Sequence, residues 1–518
     1  MRPIEGAEIV SQNEAIELSP IQSLRNNSNS NSSASSSTPL QTVPHIPETQ
    51  PQSSLEQNFR KFNILNSITN IAGSYFVFIA TIALLLIWAI VGGVLGTTET
   101  WQIIMQDVSS IQCYISDTLL MRQQQNGFRD LLKTIGELRC RNRSLVRMLR
   151  SLTPSQRQEV FGPGKRSYFQ LRNSRRVDEL ENEGPFLKKW FDVMCDGVAI
   201  AVGSLPTLIL YAVGVVAWLA LGAMLDFSNL WQLYMNTGVA IELTLTSMFL
   251  QHVRRRHGLS LGQTLKSIEE ADCDLEDRLR SFTGDSTPHQ TVIIEPPERN
   301  FVERRIDGYA FLVGGGFGAA CSMVVFGIWI GIGHILHYDA NWWLIIGTWT
   351  GLVGFVDAFV LRNVGYRQNS ILDEQIRTLE EQDLEVYSLL ASPAPGVDCS
   401  ESMKNERRLS YRISRWFVMA TSKWYVVIFA PVVVALVLSI ATTLHWSETG
   451  QLISNTPTMI IEGFLLLVLI KAHNIAIIKR RLQFGGVLER REVLNSLLGG
   501  SESPKEYDKI RMEVETKQ

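Results

Sequence analysis

Lysine and arginine are missing from four long stretches of a sequence that carries 48 of them in 518 residues. The stretches lie between Lys61 and Arg122, Lys189 and Arg254, Arg305 and Arg362, and Lys423 and Lys471. Each contains two apolar runs of about 20 residues separated by a short polar tip, and about 20 apolar residues suffice for a helix to cross a bilayer. The pattern predicts an all-α membrane protein with eight transmembrane helices.

Motifs of common enzyme sites are also missing. The sequence has no GxxxxGK phosphate loop, no GxSxG elbow and no HExxH zinc helix, so we expect neither an enzyme nor a permanently bound cofactor. None of its six cysteines forms a CxxC pair, which argues against a disulfide framework or a zinc site. A sequence pI of about 6.3 gives no reason to expect nucleic acid as a partner.

One spacing recurs along the chain: a glycine, a tryptophan 15 residues later and a second tryptophan 13 residues after that. The copies are Gly73/Trp88/Trp101, Gly203/Trp218/Trp231 and Gly314/Trp329/Trp342, with a degenerate fourth copy from about Trp424 to Ile470. Repetition at a fixed period indicates a repeated structural unit. We therefore predict four hairpin repeats of parallel orientation, whose tip tryptophans anchor in the outer membrane interface.

The hairpins define the expected organisation. The predicted spans are about 71–95 and 101–121, 198–225 and 230–250, 309–336 and 342–361, and 424–444 and 452–470. The units are a disordered Ser/Asn/Pro-rich tail (1–58), repeat 1 (59–152), a linker with repeat 2 (153–282), a linker with repeat 3 (283–390), a linker with repeat 4 (391–498) and a second tail (499–518). Because basic residues favour the cytosolic side, both termini are expected in the cytosol.

The cytosolic connections contain helical segments with a narrow apolar stripe of heptad type. The stripes comprise Leu131, Ile135, Leu138, Leu145 and Leu149; Leu261, Leu265, Ile268, Leu275 and Leu279; and Leu372, Ile376, Leu379, Val386 and Leu390. The stripes either pack on one another beneath the membrane or bind partners, including a second copy in a homo-oligomer. Segments such as FLKKWF and YRISRWF mix basic and aromatic residues, which predicts helices at the inner headgroup level.

Carboxylates within the second span of each hairpin are the first candidate site. A charge at mid-bilayer costs about 2.5–3.5 kcal/mol on insertion scales, so such groups should face a polar interior. At about 1.5 Å per residue, Glu242 and Glu462 lie near the midplane, and Asp117 and Asp357 lie closer to the inner surface. These positions predict two levels of metal ligands, with Asp107 higher up.

Structural roles for the same acids stay open at this point. Asp117 and Asp357 are near enough to the inner surface to reach water or to pair with Arg122 and Arg362. The two glutamates could serve only as hydrogen-bond partners between helices.

A polar collar and the tips complete the candidate metal ligands. Gln106, Asn236 and Asn455 share one repeat position, next to Asp107, Thr237, Thr348 and Thr456. The collar is either part of an ion pathway or a set of hydrogen bonds that hold the helices together. The tips carry Glu99, Asp226, His337 with Asp339, and His445 with Glu448. Imidazole and carboxylate suit Fe(II), Mn(II) or Zn(II), although short acidic tips also occur as ordinary solvated loops.

The second repeat resembles a known signature. Its segment WLALGAMLDFSNLWQLYMNTGVAIELTLTSMFLQ is similar to that of the low-affinity iron permease family of fungi and bacteria. The matching residues are Trp218, Gly222, Phe227, Ser228, Trp231, Gln232, Leu233, Asn236, Thr237, Gly238 and Gln251. The other repeats match in part and depart from it at Gln106 and Asp107, at Gly347 and Thr348, and at Pro457.

The resemblance implies a multi-pass plasma-membrane protein that passes Fe(II), with other divalent transition metals as further candidates, without ATP. Membrane potential could drive the uptake, since each elementary charge gains about 2.3 kcal/mol per 100 mV. The competing hypothesis is a membrane scaffold or sensor whose buried acids are structural and whose cytosolic helices bind partners. Metal flux in liposomes separates the two.

Overall fold

The computed structural model describes residues 16–18, 65–96, 98–160, 186–290, 292–294, 297–338, 340–390, 394 and 409–498. Within this part the chain is helical except for two short strands. The helices are α1 Tyr75–Leu95, α2 Glu99–Ser151, α3 Pro154–Val160, α4 Phe186–Val202, α5 Leu205–Gly222, α6 Asn229–Thr283, α7 Phe301–Gly314, α8 Gly316–Gly333, α9 Ala340–Leu389, α10 Leu409–Ala420, α11 Trp424–Thr443 and α12 Glu448–Leu498.

Four long helices, α2, α6, α9 and α12, form the centre of the molecule. Each runs without interruption for 50 to 55 residues, so the predicted second spans and the helical stripes beyond them are single helices. Each packs closely along two others, in the order α2, α6, α12, α9 and back to α2. We call this arrangement the inner ring; α2 and α12 occupy opposite corners, as do α6 and α9.

The helices that precede the ring helices, α1, α5, α8 and α11, lie outside the ring. Large apolar side chains such as Phe76, Leu210, Met323 and Val432 are exposed on them. Six helices in the described part are long and apolar enough to cross a membrane: α1, α5, α8, α9, α11 and α12. Helices α2 and α6, which contain the predicted spans 101–121 and 230–250, are not among them, because their ring-facing residues include many amides, hydroxyls and acids.

Three of the outer helices begin later than predicted, whereas α11 begins at Trp424, where its predicted span begins. Residues 65–72 are helical, and the chain then breaks at Gly73 and Ser74 before α1. Equivalent breaks separate α4 from α5, α7 from α8, and α10 from α11. The predicted spans 71–95, 198–225 and 309–336 thus each contain a break. Ser74 and Ser204 stabilise the first two breaks by capping the next helix, whereas Gly315 before α8 makes no side-chain cap.

Side chains of the ring helices donate hydrogen bonds to backbone carbonyl oxygens at the breaks. The contacts are His252 Nδ1 to Gly73 (3.2 Å), Asn474 Nδ2 to Ala199 (2.8 Å), Arg122 Nη1 to Gly314 (3.2 Å) and Asn363 Nδ2 to Ser422 (2.7 Å). In each contact the donor belongs to the ring helix of a different pair. A methyl group at Gly73 would meet the backbone of α6 at about 3.0 Å, so glycine permits this close approach.

Three helix pairs are closed at their tips by stacked tryptophans. Ring centroids are 3.8 Å apart for Trp88 and Trp101, and each indole N–H donates to the backbone carbonyl of the other residue. The same reciprocal contact joins Trp218 to Trp231 and Trp329 to Trp342. The recurring spacing therefore encodes a clamp within each pair, in addition to the predicted role as an interface anchor.

The apolar stripes meet within one chain below the outer helices. Leu132, Ile135, Leu261, Ile376 and Phe484 belong to one buried cluster, and a second cluster lies farther along the same four helices. The packing alternative is thus the one that the structure shows for these residues. A homo-oligomer through the same helices stays a prediction.

A short antiparallel strand pair was not expected. Ile16–Leu18 pairs with Val292–Ile294, although residues 1–58 were predicted to be a disordered tail and 283–300 part of a linker. Val292 and Ile294 are buried in the same cluster as Leu132 and Phe484, which gives the pair an apolar surface to lie on. The other residues of the tail 1–58, and the whole of 499–518, lie outside the described residues.

Candidate metal pathway in the inner ring

The predicted acids converge on the interior of the inner ring. Asp107, Asp117, Asp357 and Glu462 are at most 2% exposed, and Glu242 is partly buried. Both oxygens of Asp107 and Asp117 lack a hydrogen-bond partner, as does one oxygen each of Glu242 and Asp357. In the part of the chain that the structure describes, no basic side chain forms an ion pair with any of the five.

Glu462 lies at the centre of this group. Its Oε1 accepts a hydrogen bond from the Cys113 thiol at 3.2 Å. Cys113 Sγ, an Asp117 oxygen and a Glu462 oxygen all lie within 4.8 Å of one another. Because α2 and α12 occupy opposite corners of the ring, these side chains meet across its middle.

Glycines on α9 make room for the acids of other helices. A methyl group at Gly347 would collide with the Asp107 carboxylate, and one at Gly351 would collide with the Asn455 amide oxygen. At Gly354 it would lie 2.7 Å from Glu462 Oε1. These glycines share one face of the helix, so α9 contributes space where its neighbours contribute ligands.

Glu242 is held beside the same group. Thr246 donates to its Oε1 at 2.9 Å, and its Oε2 faces Gly463 of α12. The Tyr211 hydroxyl, which donates to the Ile460 carbonyl, also lies against Gly463. Glu242 therefore has one structural hydrogen bond and one free carboxylate oxygen.

The proposed pairing of the lower acids with nearby arginines is not what the structure shows. Arg122 donates to Asn66 and to the Gly314 carbonyl, and Arg362 donates to the Val418 carbonyl and Ser422. The arginines hold the helix breaks. Asp357 instead accepts a hydrogen bond from the Tyr309 hydroxyl at 2.7 Å, which leaves its second oxygen free.

The two predicted levels of acids are not separate. Asp117 was placed below the glutamates from its position along the helix, yet one of its oxygens reaches Glu462 and Cys113 within 4.8 Å. The count of residues from the tip therefore did not predict which acids lie at one level of the ring.

The collar residues are also buried and largely unpartnered. Both side-chain polar atoms of Gln106 and Asn236, the Asn455 amide oxygen and the Thr348 hydroxyl make no hydrogen bond. Thr456 donates to its own helix at the Leu452 carbonyl, and Thr237 donates to Gln102 at 3.4 Å. If these residues only joined the helices, their amides would be hydrogen-bonded to one another. Most of their polar atoms instead have no hydrogen-bond partner and are free to bind an ion.

The tips do not assemble into a metal site in the described part. Glu99, Asp226, His337 and His445 are exposed, while the side chains of Asp339 and Glu448 lie outside the described residues. Asp226, His337 and His445 have positive φ angles of 51° to 52°. Asp and His are enriched in that conformation, so the backbone of the tip accounts for these residue types without a metal.

Sequence reasoning did not single out Cys113, Tyr309 or the α9 glycines. Cys113 lies four residues before Asp117, which places both on one face of α2, and that spacing was the available signal. The contact with Glu462 could not be derived, because it depends on which helices face each other across the ring.

A large cavity lies on the side of the acids away from the tips. Its volume is about 1890 Å³, and its lining includes Arg254, Arg362, Lys471 and His473 together with acids such as Asp373. Basic side chains outnumber acidic ones in this lining, whereas the ring interior around Glu462 is acidic.

The fold and the buried ligands define a multi-pass helical membrane protein whose interior suits a cation. A family profile described as "Low affinity iron permease" matches residues 61–150, 191–271 and 407–483. Two curated relatives are similar over most of the chain. The "Low-affinity iron/zinc ion transport protein fet4" of Schizosaccharomyces pombe is 43% identical over 438 residues, 84% of this chain and 73% of the relative.

The "Low-affinity Fe(2+) transport protein" of Saccharomyces cerevisiae is 34% identical over 458 residues, 83% of this chain and 82% of the relative. The chain belongs to the low-affinity iron permease family. No solved structure matches it. Helices α8 and α9 both lie entirely outside the profile match, and α9 is the ring helix whose glycines make room for Asp107, Asn455 and Glu462.

Proposed function

We propose that this protein carries out low-affinity uptake of Fe(II), and of other divalent transition metals, across the plasma membrane without ATP. The relatives named for iron and iron/zinc transport support this proposal. The observation that carries it is the set of buried acids in the inner ring, none of which forms an ion pair with a described basic side chain, although Arg254 attracts Asp117 electrostatically from a greater distance. A buried carboxylate without a countercharge is costly, and a divalent cation would supply that charge.

The ion would pass along the ring interior. The exposed acids at the tips would raise the local concentration of cations. The amide and carboxylate oxygens of the collar would then replace part of the ion's water shell, and Glu242, Glu462, Asp117 and Asp357 would bind it near the midplane. The cytosolic cavity gives the ion an exit, and the membrane potential favours entry by about 2 × 2.3 kcal/mol per 100 mV.

The proposed topology has eight spans in four hairpin repeats, with both termini in the cytosol. Helices α2 and α6 are included because they pack along α9 and α12 as equal members of the ring and begin at the same tryptophan-clamped tips. Their polar residues face the interior, which lowers their mean hydropathy without exposing charge to lipid. The units 59–152, 153–282, 283–390 and 391–498 would each supply one ring helix.

Topology is tested by cysteine labelling in intact cells with an impermeant reagent. A cysteine introduced at Thr98 or Asn229 should react from outside, whereas one at Ser155 or Ser281 should react only after permeabilisation. Outside labelling of either of the latter two positions would contradict the eight-span arrangement.

Function is tested by uptake of labelled Fe(II) into cells that lack their own iron uptake, and into liposomes containing the purified protein. Glu462→Gln and Glu242→Gln should each reduce uptake at least tenfold, because the amide cannot neutralise the ion. Glu385→Gln, at an exposed cytosolic acid, is the control and should transport normally. Folded wild-type protein that passes no metal in liposomes would favour the scaffold hypothesis.

A further inference from the structure

Cys113 places a sulfur atom among the proposed oxygen ligands. We propose that Cys113 Sγ, Asp117 and Glu462 bind one metal ion together, so that the central site has mixed sulfur and oxygen ligands and prefers Fe(II), Zn(II) and Cd(II) to Mn(II) and Mg(II). This inference rests on the proposed function, and it specifies the metal class and one ligand that oxygen chemistry alone would not predict.

The geometry suits one ion. Metal bonds of about 2.3 Å to sulfur and about 2.0–2.2 Å to oxygen place donor atoms on a shared tetrahedral ion about 3.5 Å apart. Cys113 Sγ already lies 3.2 Å from Glu462 Oε1, and the three donor atoms fall within 4.8 Å of one another. The largest of these separations therefore exceeds the spacing on a shared ion by at most about 1.3 Å.

Burial separates this cluster from an ordinary group of acids. Cys113 is 1% exposed, and Asp117 is 0% exposed with neither carboxylate oxygen hydrogen-bonded. Native structures rarely leave a buried carboxylate wholly unpartnered. The free oxygens of Asp117 thus point to a ligand that arrives from outside the chain.

The structural alternative is that the thiol only donates a hydrogen bond to Glu462. That contact accounts for one oxygen of Glu462 but leaves both oxygens of Asp117 without a hydrogen-bond partner, with Arg254 acting on Asp117 only as a charge at a greater distance. The position of the cluster also favours a ligand, since its members come from opposite corners of the ring and would meet an ion passing through the middle.

Sulfur determines which ions are preferred. A thiolate favours borderline and soft ions, whereas carboxylate alone suits Mg(II) and Mn(II). Binding requires the thiolate, so the Cys113 S–H bond breaks, its sulfur bonds to the metal, and the proton is released to the buffer. Metal binding should therefore acidify a weakly buffered solution.

The direct test uses Cd(II) with the purified full-length protein in detergent, where a Cd–thiolate bond gives an ultraviolet charge-transfer band. Wild type should show the band, and Cys113→Ser should lose it. Cys140→Ser, at a buried cysteine of the cytosolic cluster, and Cys321→Ser, at an exposed one on α8, should keep it. A band that persists in Cys113→Ser, or that disappears in a control variant, would overturn the sulfur ligand.

Competition for uptake gives a second, independent measurement. In Cys113→Ser, Zn(II) and Cd(II) should inhibit Fe(II) uptake at least tenfold less well than in wild type, while inhibition by Mn(II) should change little. Equal weakening by all three ions would count against the sulfur ligand. Cys113→Ala serves as a second variant, and its gel-filtration profile and melting temperature report whether the fold survives.

The two proposals fail in different ways. If Glu462→Gln abolishes uptake but Cys113→Ser keeps both the Cd(II) band and the wild-type competition pattern, the pathway stands and the sulfur ligand falls. If wild type moves no metal in liposomes while Cys113→Ser loses the Cd(II) band, the metal site stands and the transport function falls.

Discussion

Two groups of buried acids lie on the same four helices, and only one group forms ion pairs with arginines among the described residues. In the half of the ring helices away from the tips, Arg491 Nε lies 2.5 Å from Asp272 Oδ1 and its Nη2 lies 2.7 Å from Asp383 Oδ1. Asn142 and Arg490 also donate to Asp383. In the half nearer the tips, the acids around Glu462 form no ion pair with an arginine among the described residues, and Arg254 acts on Asp117 only as a charge at a greater distance.

Burial alone does not explain why the acids around Glu462 form no ion pair. Arg491, Asp272 and Asp383 are each 0% exposed, as buried as the acids of the pathway. Burial raises the pKa of Asp272 to about 6, while the Arg491 charge acts in the opposite direction. Where the acids are structural, arginine and amide side chains are their partners. An acid cluster without ion pairs is therefore consistent with a cation that binds and is released.

The largest expected effect comes from removing the ion pairs of Arg491 with Asp272 and Asp383. Arg491→Ala would leave Asp272 and Asp383 buried without their main countercharge, and removal of one partner from a buried pair costs about 3–5 kcal/mol. We expect a lower melting temperature in detergent and little folded protein at the membrane.

The control is Arg377→Ala, on the exposed surface of α9 near Glu374 and Glu381. Exposed pairs contribute about 0–1 kcal/mol, so this variant should melt close to wild type. If both variants were equally stable, Asp272 and Asp383 would not depend on Arg491 for stability, and the proposed difference between the two groups of acids would be wrong.

The second prediction sets one acid of each group against the other. Asp383→Asn should destabilise the protein because it removes the charge that Arg490 and Arg491 contact, by about 1.5–3 kcal/mol for hydrogen bonds to charged groups. Glu462→Gln should leave the metal-free melting temperature unchanged or raise it, since an amide is cheaper to bury than an unpaired carboxylate.

The measurement is thermal melting with and without Fe(II) under anaerobic conditions. Wild type should gain stability from the ion, by ligand linkage, and Asp383→Asn should keep this gain. Loss of the gain only in Glu462→Gln supports the difference between the groups, whereas a large destabilisation of metal-free Glu462→Gln would show that its acid is structural.

A smaller effect is expected from filling the space beside the pathway. Gly354→Ala places a methyl group about 2.7 Å from Glu462 Oε1, which should displace that side chain and reduce Fe(II) uptake severalfold with little loss of folded protein. Gly327→Ala on α8, where the structure leaves open space, is the matched control and should be normal or slightly stabilised, by about 0.5–1 kcal/mol. Equal uptake by the two variants would contradict the role of α9 in shaping the site.

Much of this architecture follows from local sequence signals. The all-helical class was confirmed, because long apolar runs have few alternatives in a membrane. The stripe beginning at Leu131 correctly indicated packing of the four long helices on one another. The helix breaks beside Gly73 and Gly203 were missed, since hydropathy continues across them and only contact with a neighbouring helix makes glycine necessary there.

The sequence could suggest the candidate acids but not their geometry. An acid in an apolar run is visible in sequence, so Glu242 and Glu462 could be proposed, and their role as metal ligands stays a prediction. Their relation to Cys113 depends on the order of helices around the ring, in which the second pair lies beside the fourth. Sequence order does not determine that arrangement, because loops of this length permit several packings.

The smallest predicted effect concerns the tip acids, which differ from both buried groups in being exposed to water. Glu99→Gln combined with Asp226→Asn removes charge from the outer mouth but no buried ligand. Uptake should fall about two- to threefold at low metal and low ionic strength, and should match wild type near 0.15 M salt, where screening acts over about 8 Å. The measurement is initial Fe(II) uptake across a salt series, with Glu462→Gln as the reference that salt does not rescue. A double variant as inactive as Glu462→Gln at every salt concentration would place an obligatory site at the tips, whereas wild-type uptake even at low salt would make these acids ordinary solvated loop residues.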